Sequence, residues 1–384
     1  MRFTVLGAGL QGSACAFDLL QDPAVSEVRL ADRSFERLPA FLQPWVGSRL
    51  TLHAVDARDP VAVGAVVQGT QAALCAMPYH FNSALARVAV EHGVHFADLG
   101  GNTAIVEQQI ATVHDAAVAR GVSVLPDCGL APGLVNVIAE VGIQECDTVS
   151  AVRLYVGGLP QHPTPPLNYQ IVYSLEGVLD YYTTPSWVLR DGQPTQVTAL
   201  SEIEAVSFDG NVGTLEAFHT AGGLSLMAQR YAGRIPVIEY KTLRYPGHAA
   251  LMAAIRELGF LSNTAVDVNG QDVVPRALAI AVLDPKLRKP NAPDLVALRV
   301  EVDGVRGGTP VQHRYELVDH YDAAHGISAM MRTTGYSLAI MGQLMAAGRV
   351  APGVRTPDVA VPGEAYLDAL RARGVDVRTT TGAQ

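Results

Sequence analysis

Gly7-Ala8-Gly9-Leu10-Gln11-Gly12 is the first stretch of this chain whose residue types and spacing could do chemistry. Its three glycines permit a tight turn after a strand, a close backbone approach to a pyrophosphate, and close packing of the helix that follows. The unpaired N–H groups and positive dipole end of that helix then face phosphate. Twenty residues past Gly12 stands Asp32, where a carboxylate accepts the ribose hydroxyls of NAD and repels the 2′-phosphate of NADP. Arg33 pulls the other way, because a guanidinium pairs with phosphate as readily as it stacks on adenine. We read the pair as selecting NAD. Asp56 either borders the adenine or caps a helix before Pro60, and Met77-Pro78 either lines the nicotinamide-ribose side or packs in the core.

Polar residues that follow strands come next, because ligands of open α/β sheets bind beyond the strands' carboxyl ends. These are Tyr79, His80 and Asn82, then Asp98-Leu99-Gly100-Gly101-Asn102, then Asp127 and Cys128. The turn from Asp98 either brings backbone to a ligand or is a plain turn with a helix cap at Asn102 or Thr103. With the glycine motif they give a cofactor set of Gly7, Gly9, Leu10, Gln11, Gly12, Asp32, Arg33, Asp56, Met77, Pro78, His80, Asn82, Leu99 and Gly100.

Three later segments combine charged and aromatic groups: Glu216–Gly223, Lys241–His248, and Leu167-Asn168-Tyr169 with Tyr173–Gly177. Arg244 offers a planar two-point clamp for a carboxylate. His219, His248 and Lys241 are either proton acceptors or satisfied structural residues.

The elements that must position these groups follow from periodicity. Strands are expected at Phe3–Leu6, Glu27–Ala31, Thr51–Val55, Ala72–Ala76, Val94–Ala97 and Val122–Leu125, with helices at Leu10–Leu20, Pro60–Val67, Phe81–His92 and Thr103–Arg120. That alternation is a doubly wound parallel sheet. Beyond Asp127, strands Val149–Val156, Val237–Tyr245, Val296–Val302 and His313–Asp319 outnumber helices Ala249–Leu258 and Arg276–Leu283, as in an α+β domain with an antiparallel sheet. Gly157–Pro160 with Pro163, Pro165 and Pro166 reads as a loop, unfit for helix or central strand. A last helix is expected at Tyr336–Ala347. The expected domains are residues 1–128, 129–325 and 326–384, the last returning to the first.

The 384 residues carry 28 Lys+Arg against 37 Asp+Glu, a net charge of −9, with no basic run, which argues against nucleic acid or an anionic membrane as partner. No apolar run is long enough to span a bilayer, and glycines interrupt the N-terminal apolar stretch that could pass for a signal peptide. Cys15, Cys75, Cys128 and Cys146 lie far apart with no ligand cluster, which fits reduced thiols in a cytoplasm and no metal.

Taken together, Gly7–Gly12 with Asp32-Arg33, Cys128–Gly133, Val156–Pro160 and Tyr240–His248 resemble the saccharopine dehydrogenase (reductase) superfamily. Within it Pro165–Tyr169, Ser174–Gly177 and Glu216–Gly223 are most similar to the bacterial lysine 6-dehydrogenases. The resemblance implies a Rossmann domain interrupted by an α+β domain, a homo-oligomer, and NAD-linked oxidative deamination of L-lysine at C6 to allysine, which cyclises. Hydride transfer from C6 requires a neutral amine, so a general base or a desolvating pocket must remove a proton. The candidates are His219, Lys241, Asp98 and His248. Arg244 is then expected to hold the substrate carboxylate and Glu216 the α-ammonium, while Tyr79, Tyr169 and Tyr173 wall the aliphatic stem.

Two other readings stand beside it. A condensing reductase would form a secondary amine from an amino acid and an oxo compound, and its product's extra carboxylates would call on Arg190, Arg230, Arg234, Arg244 and Arg276. A non-catalytic sensor of NAD redox state would need no carboxylate-binding arginine.

Overall fold

The computed structural model describes residues 1–290 and 292–383. Two compact units emerge: residues 1–147, 322–327 and 331–378 form the first, and residues 148–321, 328–330 and the chain from Thr379 the second. The break therefore falls at 147/148 rather than at 128/129, and the C-terminal part divides between both units.

In the first unit the chain runs β1 (Arg2–Leu6), α1 (Leu10–Gln21), β2 (Glu27–Asp32), β3 (Leu50–Ala54), α2 (Pro60–Val67), β4 (Ala72–Cys75), α3 (Asn82–Glu91), β5 (His95–Asp98), α4 (Thr103–Arg120), β6 (Ser123–Leu125) and α5 (Leu134–Gln144). The strands lie parallel in the order β6-β5-β4-β1-β2-β3. The winding reverses between β1 and β4, which leaves a crevice at their carboxyl ends. Local chemistry sets the helix starts: the Asp59 side chain accepts from Val61 and Ala62 N–H ahead of Pro60, and Asn102 caps α4. Helix α5 buries Leu134, Val135, Val137 and Ile138 and so joins this unit's core, which is why the break comes late.

The second unit contains β7 (Thr148–Pro160), α6 (Leu175–Thr183), β8 (Ser186–Arg190), β9 (Gln193–Val197), β10 (Glu204–Phe208), β11 (Gly213–His219), α7 (Met227–Arg230), β12 (Val237–Arg244), α8 (His248–Glu257), the hairpin β13 (Val266–Val268) and β14 (Gln271–Val273), α9 (Pro275–Leu287), β15 (Asp294–Arg306) and β16 (Thr309–His320). After it come α10 (Ala329–Ala346), β17 (Gly353–Val354), α11 (Pro357–Ala360), α12 (Gly363–Arg371) and β18 (Arg378–Ala383). Strand β17 adds to the first sheet beside β6, and β18 adds to the second beside β16.

Two expectations for the second unit are corrected. The main path of its sheet is β10-β11-β12-β7-β15-β16-β18, and it is mixed, because β12 and β7 run parallel. Residues Gly157–Pro160 are not a loop: β7 continues through them, paired with β15, just past the Val156/Thr242 pair at which its register with β12 ends. Glycine belongs there for packing, since a Cβ on Gly157 would sit 2.5 Å from the Leu243 carbonyl oxygen. We expect Gly157→Ala to lower stability by about 2–4 kcal/mol, read as a fall in denaturation midpoint, because backbone on the neighbouring strand cannot yield.

Register divides the chemistry of this sheet. Directly opposed residues of antiparallel strands share a face, and neighbours along a strand alternate. The pairs Glu216/Arg244 and Phe218/Thr242 therefore lie on one face, and Ala217/Leu243 and His219/Lys241 on the other. Phe218 packs with Tyr182, Ala249 and Met252 under α6 and α8, while Leu215, Ala217 and Leu243 pack with Val206 and Phe208.

Candidate functional site

In the first unit, the strand ends open a cleft of about 390 Å³ lined by Gly7, Gly9, Asp32, Arg33, Asp56, Arg58, Met77, Pro78 and Phe81, among others. The turn after β1 is made by Gly7, at a φ of +102°, and leaves no room for a Cβ on Gly12, which would collide with the Gly7 carbonyl oxygen, whereas one on Gly9 would meet nothing within 4 Å. Space at Gly9 is what a phosphate needs there. The side-chain amide of Gln11 is buried with neither its oxygen nor its nitrogen hydrogen-bonded, which leaves a donor and an acceptor for a ligand. Asp32 receives Ala8 N–H at 2.7 Å and Arg33 N–H at 2.6 Å, which ties the glycine turn to the end of β2. These residues fit a dinucleotide. Asp56 is not the cap of α2, which is Asp59; it instead grips Arg58 at 2.6 Å on the cleft wall. Leu10 is exposed on α1, the His80 ring lies tilted with its centroid 4.4 Å from that of Phe81, and the buried Asn82 accepts from the Cys75 thiol.

Asp98 is fully buried at the end of β5. Its carboxylate accepts from Gly100 N–H (2.8 Å), Asp127 N–H (3.4 Å) and Gln109 Nε2 (2.8 Å), so it pins two turns together, and Leu99 and Gly100 serve that turn. Burial pushes its pKa up from 3.8 to about 6, against the pull of those hydrogen bonds. A folded pKa above the unfolded one means the native state holds the proton more tightly. The stabilisation is then complete below about pH 4 and lost as pH rises through 6. Across that range we expect the stability gap between the wild type and Asp98→Asn to shift by about 3 kcal/mol, measured by urea unfolding. A gap independent of pH would overturn the assignment.

In the second unit Arg244 ends β12 at 4% exposure. Its Nη1 donates to the Leu243 carbonyl, its Nε has no partner, and its guanidinium lies 4.9 Å over the Tyr169 ring. Among the described residues no carboxylate reaches it; its charge faces the hydroxyls of Tyr182, Tyr169 and Tyr173 instead. The Tyr169 hydroxyl is likewise buried and unpartnered. His248 stands on this face with both nitrogens engaged: Nδ1–H donates to the Leu167 carbonyl and Nε2 accepts from Tyr182, each at 2.9 Å. Glu216 does not await an ammonium group, because its oxygens accept Gly247 and Ala249 N–H at the start of α8.

Two family models cover the chain: the saccharopine dehydrogenase NADP binding domain over residues 3–125 and the saccharopine dehydrogenase C-terminal domain over residues 129–375. The chain belongs to the saccharopine dehydrogenase family. Its relatives include saccharopine dehydrogenase [NADP(+), L-glutamate-forming] of Schizosaccharomyces pombe, 24% identical over 62% of this chain and 54% of that protein. Mitochondrial alpha-aminoadipic semialdehyde synthase of Mus musculus is 26% identical over 52% of this chain and 22% of its own length. The matches thus span about half of the first relative and about a fifth of the second. Apo saccharopine dehydrogenase (L-Glu forming) from Saccharomyces cerevisiae shares the fold over the whole of both chains, with a TM-score of 0.80 and 19% identity. The Legionella pneumophila homospermidine synthase, solved with NAD, follows at 0.68 and 11% identity.

This saccharopine dehydrogenase-family chain separates two of the expected proton acceptors from Arg244. His219 and Lys241 occupy the opposite face of the sheet, and both are committed there. His219 is fully buried, with Nδ1 on the Tyr240 carbonyl and Nε2 3.1 Å from Glu202; Lys241 donates to Glu204 at 2.8 Å and to the Glu202 carbonyl at 2.9 Å. Glu202, His219 and Glu239 bring ligand atoms within 4.8 Å of one another, but Arg190 already bridges the two carboxylates at 2.8 Å each. A guanidinium holds the position a cation would take. Arg58, Tyr182 and Gln109 were missed in the sequence; only Arg58, two residues past Asp56, left a trace there. Tyr79, on the turn after β4, packs its ring against His80. No helix among the described residues is long and apolar enough to cross a membrane.

Proposed function

We propose that this chain catalyses the NAD-dependent oxidative deamination of an amino acid bearing a single carboxylate, with L-lysine oxidised at C6. The balanced reaction consumes lysine, NAD⁺ and water and yields allysine, NADH, ammonium and a proton. The observation that carries the reading is Arg244: a buried guanidinium with no carboxylate partner among the described residues and an unpartnered Nε. Of the four other arginines that a more acidic substrate would call on, two are taken, Arg190 by Glu239 and Glu202 and Arg276 by Asp180, which favours a substrate with one carboxylate.

Bound NAD supplies the hydride acceptor. The residues of the cleft bind and orient it: backbone at Gly7–Gly12 receives the pyrophosphate, and Asp32 receives the ribose hydroxyls. Arg244 orients the substrate through its carboxylate, with Tyr169 and Tyr173 beside the apolar stem. None of the four candidate acceptors is assigned the amine proton: Asp98 is fully buried on Gly100, Asp127 and Gln109, and His219, Lys241 and His248 are each held by hydrogen bonds of their own, which favours removal of the proton by desolvation of the amine. The relatives' names support a second reading, a saccharopine-type reaction that forms or cleaves a secondary amine. Initial rates at 340 nm decide between them. Turnover with L-lysine and NAD, and none with ornithine, supports the first; silence with lysine but NAD(P)H consumption with an amino acid and a semialdehyde or oxo acid supports the second.

A further inference from the structure

Four charged side chains line the wall of the nucleotide cleft near the end of β2: Asp32, Arg33, Asp56 and Arg58. Their charges sum to zero. The carboxylate after β2 marks where the adenosine 2′ position falls in this fold, and a neighbouring arginine is what accommodates a 2′-phosphate. Two arginines stand here, which would suit NADP, yet Arg58 is turned onto Asp56 by three contacts: Nη2 to Oδ2 at 2.6 Å, and Nε to Oδ1 and Oδ2 at 3.0 and 3.2 Å. The Arg58 backbone N–H adds a fourth at 2.9 Å, so the Asp56-Ala57-Arg58 turn closes on itself. Arg33 has no carboxylate within ion-pair distance among the described residues.

We infer that Asp56 is a specificity latch: by holding Arg58 it denies the cleft the second cation that a 2′-phosphate requires, and it adds a repelling carboxylate beside Asp32. The inference rests on the NAD reading above and names a residue outside the glycine motif as a determinant of it. The pair is exposed, with side-chain exposures of 70% and 37%, so the latch is a weak tie that a single substitution releases. Removing one carboxylate takes the four-residue set from zero to +1 and leaves Arg58 free to turn toward phosphate.

The test is direct binding of NADH and NADPH to the purified protein, followed by nucleotide fluorescence without substrate. The wild type should bind NADH more tightly. Asp56→Asn, which keeps the size and the acceptor for the Arg58 N–H, should tighten NADPH about tenfold and change NADH less than threefold. Adding Arg58→Ala should abolish that gain. An NADPH affinity unchanged by Asp56→Asn, or a gain that survives Arg58→Ala, would overturn the latch while leaving the NAD preference intact. A wild type that prefers NADPH would instead refute the NAD reading itself. Circular dichroism of each variant checks that the fold is kept.

Discussion

Arg244→Met is expected to lower kcat/KM for the amino-acid substrate by about 10²–10³-fold, because a desolvated, hydrogen-bonded pair between charges is worth about 3–4 kcal/mol. The loss should fall mainly on KM, with NAD affinity unchanged, since Arg244 is not among the residues that line the nucleotide cleft. Arg244→Lys should recover only part, because an ammonium cannot reproduce the planar two-point contact. The companion outcome is sharper. Arg244 is a buried charge with no ion-pair partner, because Glu216 opposite it is taken by the start of α8, so replacing it with an apolar side chain of similar length should leave the melting temperature unchanged or raise it. Activity lost together with stability retained is the mark of a residue kept for a ligand. A variant that melts earlier and keeps its KM would make Arg244 structural and remove the ground for the single-carboxylate substrate.

His248→Leu should have the largest effect on stability, about 3–5 kcal/mol, measured by denaturant unfolding. It strands two buried groups, the Tyr182 hydroxyl and the Leu167 carbonyl, that now share the imidazole. His248→Gln supplies one donor and one acceptor and should recover at least half of the loss. The same geometry removes His248 from the list of proton acceptors. Burial, with the Arg244 charge adding to it, holds the imidazole pKa down to about 3, so the ring stays neutral across the working range. The pH–rate profile of His248→Gln should therefore keep both limbs of the wild-type profile; loss of a limb near neutrality would return His248 to the chemistry.

The nucleotide-binding unit was legible because its signals are local. Gly7, Gly9 and Gly12 act within one turn, and Asp32 follows at a fixed distance along two short elements. The second unit hides its logic in register. Lys241 and Arg244 lie three residues apart on a strand, so alternation alone places them on opposite faces, and that inference was open to the sequence. Which face carries the tyrosines, and that Glu216 would be taken by the start of α8, depends on pairing between β11 and β12, which no local pattern encodes. Gly157–Pro160 misled for another reason. Glycine and proline mark turns by backbone freedom, but here small size was needed against Leu243 in the middle of a sheet.

The final strands carry a consequence for biosynthesis. Strand β17 closes one edge of the first sheet beside β6, more than 200 residues after it, and β18 flanks β16 in the second. Neither sheet can be complete while residues before 354 and 383 are still emerging from the ribosome, and the open edges of β6 and β16 must be kept from pairing elsewhere during that interval. Such a chain should fold slowly, with high contact order, and should depend on chaperones during synthesis more than its well-buried cores suggest.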